Sequence, residues 1–226
     1  MDTVSTEFLL KGAVYNLEQC GLLLRDASLL VTNNADANGL LLTIFAWEAL
    51  GKWVTLRNLR REVLGGRALG IEEVAEICGD HVNMLRAGNL SVTMITEKDS
   101  GLGQLMQSRF LLEPGSEEWI QSSERLDDVT DRKRKRAADE RHKWRLAAQY
   151  VDPLPNESWR RPIEVRRELV ERCLQDARND YACQFDRYNN HDVHRHDDPE
   201  FYAALEAWPD RPTIVAVFDP IKPSAP

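Results

Sequence analysis

Cysteine is scarce in this chain: four in 226 residues (Cys20, Cys78, Cys173 and Cys183), far apart and without a short paired spacing. That pattern excludes a disulfide scaffold and a zinc-finger module, and it suits the reducing cytoplasm. No uninterrupted apolar run approaches the roughly 18 residues that a membrane crossing needs. The longest, Gly39 to Trp47, is far shorter, so no membrane partner is expected. The opening MDTVSTEFLLKG lacks the basic-then-apolar layout of a signal peptide. No Gly-rich phosphate loop, G-x-S-x-G elbow or H-E-x-x-H helix occurs, and nothing in the helical body has cofactor- or metal-ligand spacing.

Charge is present in quantity but unevenly spread. The chain carries 29 Lys/Arg against 37 Asp/Glu, a net −8, which argues against indiscriminate nucleic-acid binding. Between Asp131 and Arg172, however, 13 basic residues face 8 acidic ones. One basic segment on an acidic body can attract a polyanion locally, and it can equally be a solvated helix face.

Helical periodicity dominates. From Glu7 to Val31 the residues Leu10, Ala13, Leu17, Cys20, Leu24, Ala27 and Val31 alternate spacings of three and four, the seam of an amphipathic helix. Asn33, Asn34 and Asp36 supply turn and cap chemistry before a second helix, Ala37 to Val63. Its GLLLTIFAWEALGKW stretch is apolar nearly all round, which marks the most enclosed helix. A third helix is expected over Ile71 to Arg86. Thr96 to Asp131, turn-rich with 9 acidic and 3 basic residues, reads as a partly disordered insertion holding one short helix, Gly101 to Leu112. Helix resumes at Thr130 and runs to Tyr150, and Pro162 opens a last long helix to Tyr188. A short helix at Pro199 to Trp208 follows, then TIVAVF, which has strand composition but only six residues and no partner strand. The expected fold is all-α: an antiparallel bundle of four or five long helices over residues 1–190, with the acidic insertion at 96–131 and a tail from 191 to 226.

Several residues invite chemistry. Glu48 and Lys52 lie four apart on the most apolar helix, where charges are costly unless paired, so they are expected to pair at the centre or at a subunit interface, the alternative being a solvated stripe shared with Thr55. His81, in GDHVNML, suits either a site or a helix cap. The run RKRKRAADERHKWRLAAQYVD places Arg136, Arg141 and Arg145 around His142, and a histidine among arginines can exchange protons while guanidiniums hold a phosphate. In the tail, His191, His194 and His196 with Asp192, Asp197 and Asp198 form either a surface tract or a weak divalent-metal candidate.

The run KGAVYNLEQCGLLLRDASLLVTNNADANGLLLTIFAWEALGKW, with its Glu48-x-x-x-Lys52 element, resembles the opening of AbiV-type abortive infection proteins. Asp80-His81 and the stretch Arg145 to Asp152, including Tyr150, with Trp159 and Pro162 beyond, extend the resemblance over roughly residues 8–188. Those proteins belong to the HEPN superfamily, which implies a dimeric helical bundle. Many members are metal-independent ribonucleases in phage defence, with an Arg and a His four to six residues later at a composite dimer site. The resemblance implies Arg136 and His142 as the catalytic pair, RNA as substrate and no cofactor. From the basic segment itself, His142 is the expected proton shuttle and Arg136, Arg141 or Arg145 the expected charge stabiliser, so that Arg136, His142 and Arg145 are the catalytic candidates. Here Ala137 follows Arg136, where a polar residue is usual in the family. AbiV-type proteins are also associated with translation arrest and a phage protein partner, so a non-catalytic binding module is the alternative expectation.

Overall fold

The computed structural model describes residues 3–89, 112–150, 152–153, 158–189 and 198–214. Among them are seven α-helices: α1 (Thr6–Thr32), α2 (Asp36–Leu64), α3 (Ile71–Gly79), α4 (His81–Gly88), α5 (Glu117–Gln149), α6 (Arg167–Asn189) and α7 (Pro199–Glu206). The all-helical expectation holds. Among the described residues, β pairing is limited to an antiparallel pairing of Asp152 with Arg160 and Pro153 with Trp159, plus an isolated bridge between Thr3 and Gly70.

Helix α1 starts where Ser5 accepts the Phe8 amide, and its whole predicted seam is buried. Asn34 turns the chain at a φ of 60°, a left-handed conformation that asparagine tolerates, and α2 returns antiparallel to α1. Gly39 makes the close approach possible, since a Cβ there would meet the Val31 side chain at 2.5 Å. Helix α6 lies along both. Its Tyr181 packs over Gly21 of α1, and its Asp180 and Gln184 accept hydrogen bonds from the buried indoles of Trp47 (2.8 Å) and Trp53 (3.1 Å) on α2. An indole N–H taken out of water needs such an acceptor. Phe201 of α7 closes the far end edge-on to Trp53 at 5.5 Å. Helix α2 holds the one stretch among the described helices long and apolar enough to cross a bilayer, but 67% of that window is buried inside the protein, as in a core helix.

The structure revises three expectations. The third helix is two, because Asp80 ends α3 and its carboxylate caps α4 at the Asn83 amide (3.0 Å). Helix α5 begins at Glu117 rather than Thr130, so the latter part of the supposed insertion is helix. Ser116 caps it, Glu117 and Glu118 favour its first turn, and pairs such as Arg132–Asp128 support a stretch with little apolar seam. Pro162 opens a 3₁₀ turn (Pro162–Glu164), and α6 starts only at Arg167. Thr213 and Ile214 are in no strand. The rest of TIVAVF, the histidines His191, His194 and His196, and Gly101 to Leu111 of the expected short helix lie outside the described residues.

Candidate functional site

The site is built around a close crossing of α2 and α4. A Cβ on Gly51 would stand 1.9 Å from the Met84 carbonyl oxygen, and one on Gly88 would stand 2.3 Å from that of Trp47. Only hydrogen at both positions lets the two backbones touch. The contact sets the first residue of α4, His81, beside Glu48, one turn before Gly51 on α2.

Glu48 is 6% exposed and uses both carboxylate oxygens. Oε2 meets Nδ1 of His81 at 2.9 Å, and Oε1 accepts from Nη1 of Arg145 on α5 at 2.9 Å. One buried carboxylate therefore ties three helices together. An ionised carboxylate only accepts, so the neutral imidazole must carry its proton on Nδ1. That leaves Nε2 with its lone pair, on a side chain that is 51% exposed. Arg145 is 12% exposed, a guanidinium at the edge of the interior.

Two further α5 residues flank this cluster. The Arg141 guanidinium carbon stacks 3.3 Å from the Trp47 ring centroid, and burial pushes its pKa down to about 10, so it remains charged at neutral pH. Next to it, His142 is half-buried, and its Nδ1 is enclosed without a hydrogen-bond partner among the described residues. His142 precedes Arg145 by three positions, which puts the two on one side of the helix.

The remaining expected residues fall elsewhere. Lys52 makes no ion pair among the described residues, and its charge acts on the Cys78 thiol instead. The expected Glu48–Lys52 pair is thus replaced by longer-range partners. Arg136 is 84% exposed and pairs with Glu140 in its own helix. It lies six positions before His142, about 240° round the helix at 3.6 residues per turn, so one face cannot present both. Tyr150 is exposed at the C-cap of α5, and Asp152 belongs to the short pairing with Arg160. Asp198, one of the residues in the tail tract read as surface or as a weak metal candidate, caps α7 and pairs with Arg57 and Arg61. No His/Cys/Asp/Glu cluster among the described residues has metal-site geometry.

The sequence reading missed the Trp47–Asp180 link and the stacking of Arg141 on Trp47. A tryptophan on an enclosed helix signals a hidden acceptor, but nothing local says which acid supplies it. The altered pairing makes a simple test: Lys52→Ala should shift stability by no more than about 0.5 kcal/mol. A thermal melt more than a few degrees below wild type would mean that Lys52 supports the cluster.

Comparison with family models, with curated proteins and with solved structures returns no match to this chain.

Proposed function

We propose that this protein is an anti-phage abortive-infection effector with a HEPN-like helical bundle, acting on RNA without a metal, as a cytoplasmic homodimer. The single observation carrying the RNA chemistry is the buried Glu48 carboxylate shared by His81 and Arg145. RNA brings its own nucleophile, so a site needs proton transfer and charge stabilisation. In this reading His81 Nε2 takes the 2′-hydroxyl proton as O2′ attacks phosphorus. The P–O5′ bond then breaks to leave a 2′,3′-cyclic phosphate, and the departing O5′ regains a proton from His142 or water. Arg145 stabilises the charge on the phosphorane oxygens, and the basic run Arg132 to Arg136 of α5 draws in the polyanion. Glu48 is a positioning residue that fixes the His81 tautomer. His81 thus takes the role that the family resemblance gives to His142, because Arg136 lies away from the cluster.

The two engaged oxygens of Glu48 also favour a second reading, in which the cluster is a brace. The protein would then be a non-catalytic module binding a phage or ribosome-associated protein. Incubation with end-labelled RNA in EDTA separates the two. Cleavage to cyclic-phosphate ends, lost in His81→Ala with the fold intact, is the expected result. Tight RNA or protein binding without cutting would make the brace reading correct. Cutting retained in His81→Ala but lost in His142→Ala would return the proton shuttle to His142.

A further inference from the structure

On the far side of α2 from Glu48, a cavity of about 240 Å³ opens between α2, α6 and α7. Its polar lining comes from Arg57, Asn58 and Arg61 of α2 and from Gln184 and Arg187 of α6. The orientation of each group follows from its partners. The Trp53 indole can only donate, so Gln184 accepts with Oε1 (3.1 Å) and its amide NH₂ remains to donate elsewhere. Asn58 likewise accepts from Arg61 through Oδ1 (3.4 Å), which leaves its NH₂. Three guanidiniums and two amide NH₂ groups therefore line one small cavity as donors.

The charge is not balanced from within. Asp198 is the carboxylate shared by Arg57 (3.1 Å) and Arg61 (3.0 Å), and Arg187 has no ion-pair partner among the described residues. Arg57 is 7% exposed, is held with its guanidinium carbon 4.4 Å from the Phe201 ring centroid, and keeps Nε buried without a partner. A cavity this size is below the range of roughly 300–1,000 Å³ typical of larger organic ligands. We infer that this cavity is a binding site for a phosphate-type oxyanion, as the free ion or as the phosphate of a small nucleotide. The planar forks of three arginines suit tetrahedral oxygens, which accept several hydrogen bonds at once. The site stands apart from the Glu48 cluster and does not depend on the RNA reading.

Calorimetric titration of the full chain at constant ionic strength tests it, with inorganic phosphate, a nucleoside 5′-monophosphate and the unphosphorylated nucleoside as probes. Phosphate should saturate with a Kd of about 1 mM or tighter, and the nucleoside should give no binding. Arg187→Ala, at an exposed position, should weaken phosphate binding roughly tenfold, Arg187→Lys should weaken it less, and His81→Ala should leave it unchanged. A monophosphate bound about tenfold tighter than phosphate identifies the nucleotide as the source, and equal affinities identify the free ion. Absence of saturation by about 20 mM phosphate, or unchanged binding in both Arg187→Ala and Arg61→Ala, overturns the assignment.

Discussion

Gly51→Ala should destabilise the protein by about 3 kcal/mol or more, at the upper end of the range for overpacking. The added methyl would meet backbone and not a side chain that can swing aside: the Met84 oxygen at 1.9 Å, its carbonyl carbon at 2.6 Å and its Cα at 2.9 Å. Relief requires α4 to move away from α2, and that movement carries His81 off Glu48. In a chain of this length such a loss lowers Tm by roughly 6–12 °C. Gly79→Ala is the control, because a Cβ there meets nothing within 4 Å and alanine favours helix over glycine. A Gly51→Ala melt equal to that of Gly79→Ala would mean that the α2–α4 contact is looser than the backbone separation implies. If the site is the seat of RNA chemistry, Gly51→Ala should also impair cleavage without touching any reacting group.

The contrast between those two glycines shows how much of this molecule its sequence discloses. Helix α1 was legible almost residue by residue, because a seam repeating every three and four positions has one way to be buried. The enclosed character of α2 was legible for the same reason, since an all-round apolar helix has to be covered. Helix α5 was only half legible. Its first turns carry Ser122 and Leu126 as their buried residues, so periodicity is nearly silent there, and the cap at Ser116 was the one local signal. The site was legible in membership but not in connection. Glu48, His81 and Arg145 all stood out as charged or titratable residues in helical context, yet their joining depends on which helix crosses which. Local spacing suggested Lys52 as the partner of Glu48, four residues away. Tertiary packing instead supplied His81 and Arg145, at separations of 33 and 97 residues. Glycines that permit a crossing look in sequence like any other glycine, so the crossing itself could not be foreseen.

Glu48→Ala should cost about 3–5 kcal/mol, the range for removing one partner of a buried charge pair. The loss comes mainly from Arg145, whose guanidinium at 12% exposure would lose its carboxylate while its Nε already lacks a partner among the described residues. The half-exposed His81 adds little to stability, because solvent screens it. Glu48→Gln separates fold from chemistry. The amide keeps the shape and can still accept from Arg145 through its oxygen, so the stability loss should be clearly smaller than for alanine. Its NH₂ would then face His81 Nδ1, which must become the acceptor. The imidazole proton moves to Nε2, and the exposed nitrogen changes from base to donor. Nitrogen-15 shifts of the His81 ring report that exchange directly, with Nδ1 protonated in the wild type and Nε2 in the variant. The proposed RNA cleavage should fall by two orders of magnitude or more in Glu48→Gln, since a positioned base contributes roughly 10²–10⁴-fold. Equal melts for Glu48→Ala and wild type would place the carboxylate in solvent and dissolve the cluster. An unchanged His81 tautomer in Glu48→Gln would remove Glu48 from any positioning role, whatever its part in stability.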